Sequence, residues 1–167
     1  MVERRKAQNI GTYLKVNLDK DSVERIKKFF EECDLPNPIP LEKLHVTVVY
    51  SRKPLPKLQA NPSAVYIAKP VSFAIWKSPA NRGKPKDTNG LVLKLDSPIL
   101  VERHKYVVRE FGATVDFDTY IPHITFSYDV GDLDLAELPT IDLPNLVLSG
   151  ETSKDLDLDW TPGTGAV

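Results

Sequence analysis

The run Gly11-Thr12-Tyr13-Leu14-Lys15-Val16-Asn17-Leu18 is rich in β-formers and predicts a strand, with Tyr13 and Lys15 two apart and so on one face. The period then lengthens. Val23, Ile26, Phe29, Phe30 and Cys33 form an apolar stripe at helical spacing. Asp21 precedes it, with Glu24 three positions on, as in a capping box. Pro36, Pro38 and Pro40 end that helix, and Leu44 to Tyr50 predict a second strand. The same succession returns later. Leu91 to Leu95 predict a strand. Ser97-Pro98 reads as an N-cap with proline in the first turn, and Leu100, His104, Val107, Val108 and Phe111 recur at helical spacing. Gly112 is a stop, and Pro122 to Tyr128 predict another strand. Lys15 to His45 spans 30 residues and Lys94 to His123 spans 29, so strand, helix, strand occurs twice and predicts two lobes about a cleft.

Residues 62–76 read as strand-rich, and so do Leu146 to Leu148. The polar, basic loop 78–86 has no periodicity and fits either a flap near the cleft or a surface connection. Asp155, Asp157 and Asp159 alternate as on a strand edge, without the glycine of a calcium loop.

Composition narrows the class. A hydrophobic share of 41% in 167 residues suits a globular fold. No apolar run reaches the roughly 20 residues of a membrane span, and the charged N-terminus, without a long apolar core, is not expected to act as a secretory signal. One cysteine, Cys33, excludes an internal disulfide and a zinc–thiolate cluster, and a cytoplasmic setting is expected. The net charge of −1 hides a division: residues 1–86 carry 17 Lys/Arg against 8 Asp/Glu, and residues 87–167 carry 5 against 15. The balance argues against a binder of long nucleic acid, while a positive face would suit a small phosphorylated ligand.

The chemistry concentrates where each unit closes. Of three histidines, two have threonine two places on, in His45-Val46-Thr47 and His123-Ile124-Thr125. Residues i and i+2 of a strand share a face, so each His projects with its Thr while Val46, Val48, Ile124 and Phe126 point into the core. With the two strands adjacent, two imidazoles and two hydroxyls converge. One neutral imidazole can accept a proton from an attacking hydroxyl, the other can protonate the leaving oxygen, and the hydroxyls can hold phosphate oxygens. Packing alone gives no reason for the pair to be duplicated.

These motifs resemble those of the 2H phosphoesterase superfamily over roughly residues 9–158. The opening Gly11 to Val16 and the closing Ser149-Gly150-Glu151 are similar to the phage anti-CBASS nucleases within it. The resemblance implies an α+β, bilobal, pseudo-twofold fold, two strand–helix–strand lobes with antiparallel sheets flanking a central cleft. It would form one domain over 1–160, with lobes 9–60 and 88–130, residues 61–87 and 131–158 completing the sheets, and 161–167 a flexible tail. It also implies catalysis by His45, Thr47, His123 and Thr125 without metal or cofactor. The substrate would be a small cyclic oligonucleotide, with no long nucleic acid and no membrane as partner. Oligomeric state is left open.

Secondary site residues are expected at Tyr13 and Lys15, at Trp76 and Trp160 as stacking aromatics, and at Glu151 as an acceptor for a base edge; each also suits an ordinary packing role. His104 and Cys33 read as structural. Enzymes acting on RNA ends, at 2′,3′-cyclic phosphates or 2′–5′ bonds, share the chemistry, and a sponge that binds cyclic nucleotides without cleaving them is the alternative of another kind.

Overall fold

The computed structural model describes residues 10–80 and 84–158. Its elements are β1 (Ile10–Leu18), α1 (Lys20–Glu32), β2 (His45–Ser51), β3 (Val65–Ser78), β4 (Thr88–Asp96), α2 (Pro98–Phe111), β5 (His123–Ser127) and β6 (Leu146–Asp157). All neighbouring strands are antiparallel, and the order β1-β2-β5-β4-β3-β6 closes into a barrel. Exchanging β1 with β4, β2 with β5 and β3 with β6 returns the same ring. The predicted repeat is therefore a pseudo-twofold of the α+β fold. The expected pair of sheets is joined at both edges into one closed sheet.

Two details differ from expectation. Asp19, not Asp21, caps α1, its carboxylate accepting from the Ser22 N–H at 2.8 Å. The helix therefore starts at Lys20, ahead of the expected cap, and the Asp19 N–H is held by the Val147 carbonyl of β6 at 2.9 Å. The repeats also align differently. Asn17 lies opposite His45 and Lys94 opposite His123, so Lys94 corresponds to Asn17, and Lys15, opposite Thr47, corresponds to Val92.

Pro98 opens α2, and Gly112 ends it at φ 71°, a conformation glycine adopts without strain. Gly11 is required for a different reason: a Cβ there would lie 2.1 Å from the Ser51 carbonyl oxygen on β2.

The helices cover one face of the sheet. Phe29 of α1 packs 5.2 Å from Phe73 and 5.9 Å from Phe126, and Leu100 and Val107 of α2 are fully buried. Val46, Val48, Ile124 and Phe126 lie in this core with no exposure. Each such side chain contributes roughly 1.5–3 kcal/mol on burial, which fixes the strand faces and leaves the intervening positions on the helix-free side.

Candidate active site

The seam between the two repeats positions the site. β2 and β5 share one point of register, Val46 opposite Ile124. Continued one step in each direction, antiparallel pairing sets His45 opposite Thr125 and Thr47 opposite His123. Each imidazole thus faces the hydroxyl of the other motif, and the two imidazoles are diagonal neighbours. All four residues are half-buried on the helix-free face.

The backbone sets the same tautomer at both histidines. His45 Nδ1 lies 2.8 Å from the Lys43 carbonyl, and His123 Nδ1 lies 2.8 Å from the Ile121 carbonyl. A carbonyl only accepts, so Nδ1 carries the hydrogen and Nε2 is the accepting nitrogen of each neutral ring. Burial pushes both imidazoles below their ordinary pKa, opposed by these same backbone hydrogen bonds. At His45 the charges of Lys15, His123 and Lys154 lower it further.

Around the matched core the two halves diverge. Tyr13 is buried, with its hydroxyl 2.6 Å from His45 Nε2 and 2.9 Å from Thr47 Oγ1. With His45 neutral, Nε2 only accepts, so the Tyr13 hydroxyl donates to it and accepts from Thr47. Burial pushes the Tyr13 phenol up to about 12, so it stays protonated in this role. Lys15 lies beside Thr47 in the register and Lys154 beside Tyr13, its ammonium 5.7 Å from the Tyr13 ring centroid. Burial, then the nearby Lys154 charge, lowers the Lys15 ammonium pKa. On the other side Trp76 of β3 stands edge-on to His123, ring centroids 4.5 Å apart. Its neighbour on β4 is Gly90.

Glu151 is a correction. The register sets it opposite Val16, on the helix-covered face, where it is buried. It pairs with Arg103 of α2 through two contacts of 2.9 Å and accepts from the Tyr66 hydroxyl at 2.5 Å and the Asn61 N–H at 2.9 Å. Burial raises its carboxyl pKa, but these donors outweigh it and hold the group ionised below its usual range. It ties α2 to the sheet and is turned away from the imidazoles. Trp160 lies outside the described residues. Of the basic loop, Lys84 is held by the Ser78 carbonyl and hydroxyl and by Thr88. His104 is structural: its Nδ1 donates to the Val48 carbonyl at 2.7 Å and its ring stacks on Tyr120, whose hydroxyl donates to the Thr47 carbonyl.

Sequence reasoning missed Lys154, Tyr50 and Tyr128. Tyr50 stands edge-on to Tyr13 with centroids 6.0 Å apart. The signal for both tyrosines was present, because each motif extends to His-x-Thr-x-x-Tyr, ending at Tyr50 and Tyr128. Lys154 carries no local signature, and only pairing with β1 brings it here. Among the described residues, no three His, Cys, Asp or Glu side chains are grouped to hold a metal ion. No helix of the described residues is long and apolar enough to cross a membrane.

A pseudo-twofold α+β fold with a matched His/Thr pair from each half defines a 2H phosphoesterase, an enzyme of phosphodiester bonds. A crystal structure described as that of a phosphoesterase shares the fold, with a TM-score of 0.50 over 87% of each chain at 15% identity. The family described as Anti-CBASS protein Acb1 matches residues 10–163, and the chain belongs to that family. Curated relatives named Anti-CBASS protein Acb1 are 36% identical in Enterobacteria phage T4 and 38% in Yersinia phage phiR1-RT, each over 90% of this chain and 91% of the relative. The relative in Acinetobacter phage Ac42 is 33% identical over 91% of this chain and 95% of its own length.

Proposed function

We propose that this chain cleaves 3′–5′ bonds in cyclic di- and trinucleotide second messengers in the bacterial cytoplasm and so blocks the CBASS defence for which its relatives are named. The observation that carries the reading is the crossed arrangement of His45 with Thr125 and Thr47 with His123 on one open face. It offers an acid, a base and two hydroxyl donors around a site for one phosphate.

In the reaction the ribose 2′-OH attacks the adjacent phosphorus. The 2′ oxygen–phosphorus bond forms, one imidazole takes the hydroxyl proton, the bond to the 5′ oxygen breaks, and the other imidazole protonates that oxygen. A 2′,3′-cyclic phosphate results, and water opens it with the roles reversed. We assign the base to His45. Besides burial, it bears the fields of Lys15 and Lys154, which favour its neutral form, whereas burial is what lowers His123. The resting Tyr13 hydroxyl on Nε2 occupies the direction from which the 2′-OH would donate. Thr47 and Thr125 hold the non-bridging oxygens, with Lys15 adding positive charge. Trp76 stacks on a nucleobase, and Trp160 is a candidate for the same role.

The test is incubation with a panel of cyclic di- and trinucleotides in EDTA, with products identified by mass. Linear fragments ending in a cyclic or open phosphate are expected. Recovery of intact ligand would make the protein a sponge, and turnover restricted to RNA ends or 2′–5′ bonds would move it to that class. A 2′-deoxy residue at the scissile position should abolish cleavage.

A further inference from the structure

A cavity of about 200 Å³ opens beside His45. Its lining includes Pro38, Ile39, Pro40, Lys43 and Tyr128. Tyr128 is 57% exposed, so ring surface is open on the cavity that His45 also lines. The wall is preformed. The Ile39 N–H donates to the Phe126 carbonyl at 2.8 Å, the Ser127 hydroxyl to the Pro36 carbonyl at 2.7 Å, and the Asn37 amide to the Asp129 carbonyl at 2.9 Å. These bonds bind the proline segment to the end of β5 on both sides of Tyr128. Prolines lack an N–H, so this wall offers apolar surface with few donors.

A scissile phosphodiester joins two nucleosides, and both imidazoles have an aromatic neighbour with exposed ring surface. His123 has Trp76; His45 has Tyr128 across the cavity. We propose that the Tyr128 cavity is a nucleobase subsite, taking the base of the nucleoside whose 2′-OH attacks. The proposal rests on the phosphodiesterase reading above and on His45 as the base. Stacking is indifferent to base identity, so the subsite holds the base without selecting a single one.

The experiment compares wild type, Tyr128→Phe and Tyr128→Ala on a 3′–5′ cyclic dinucleotide, on a linear ribodinucleotide, and on the same linear diester lacking the base of its attacking nucleoside. Tyr128→Ala should lower kcat/KM on the cyclic and intact linear substrates roughly 5- to 150-fold, mainly through KM. Tyr128→Phe, which keeps the ring, should restore most of it. Base removal and Tyr128→Ala delete the two sides of one contact, so their losses should not add. Additive losses, a Phe variant as impaired as the Ala variant, or an unchanged KM in the Ala variant would overturn the subsite. Wild type that leaves every cyclic dinucleotide intact would instead overturn the enzymatic reading, and the subsite with it.

Discussion

The His45 half and the His123 half share a scaffold and differ in their surroundings. Each imidazole ends a strand–helix–strand unit, donates Nδ1–H to the carbonyl two residues back, and faces the threonine of the other unit. Beside His45 stand a buried phenol and two lysines, and beside His123 stands an indole. Duplication explains why both rings are held through Nδ1 by a carbonyl two residues back. It does not make them equivalent, because residues outside the motif decide which ring is more easily neutral. Pseudo-symmetry thus supplies the geometry, and unmatched positions on β1, β3 and β6 divide the labour.

The largest effect should come from deleting either ring. His45→Ala and His123→Ala should each lower kcat on a cyclic dinucleotide by roughly 10²–10⁴-fold. A substrate whose 5′ oxygen is replaced by sulfur separates them, since a thiolate leaves without protonation. It should restore much of the rate to His123→Ala and little to His45→Ala. Equal rescue of both would erase the division between the halves.

Glu151 tests a boundary between scaffold and site. Glu151→Gln leaves Arg103 facing a neutral amide on the buried face, at a cost of roughly 3 kcal/mol. Thermal unfolding should fall by roughly 10 °C, while kcat per folded molecule holds. A fall in kcat with an unchanged Tm would return Glu151 to the site.

Much of this was legible in the chain. Both His-x-Thr pairs, their strands, the Pro98 and Gly112 helix limits and the inward-facing Val46, Val48, Ile124 and Phe126 follow from local period and residue type. Glu151 was misread because the face it takes depends on β6 pairing Val16 with it, a partner 135 positions away. Lys154 was invisible for the same reason. A strand edge shows its alternation, but not which neighbour it will meet. The alignment of Lys15 with Lys94 differs from the structure because only pairing fixes the equivalence: Asn17 lies opposite His45 as Lys94 lies opposite His123, and a bulge recurs at matching places, between Leu14 and Lys15 and between Leu91 and Val92.

Tyr13 sharpens the contrast further. Tyr13→Phe removes the hydroxyl that bridges His45 and Thr47, which has no counterpart at His123 among the described residues. A loss of roughly tenfold in kcat/KM is expected, the size of one hydrogen bond of about 1 kcal/mol or slightly more. The position on β4 that corresponds to Tyr13, beside Trp76, is Gly90, which has no side chain to supply a reciprocal hydroxyl.

The smallest effect is electrostatic and concerns pH. Both imidazoles are lowered, so the bell of kcat/KM against pH should peak on the acid side of an ordinary imidazole's pKa. His45, as base, must be neutral, so activity rises with pH through its pKa. Lysine charge near it holds that pKa down. Lys154→Met removes one such charge, the His45 pKa rises, and the acid limb should move to higher pH by roughly half a unit or less. The alkaline limb, set by His123, should stay in place, because burial and the Ile121 carbonyl govern that ring. Salt at about 1 M shortens the screening length to roughly 3 Å, so the difference between wild type and Lys154→Met should shrink there. A shift of the alkaline limb instead would exchange the roles of the two histidines.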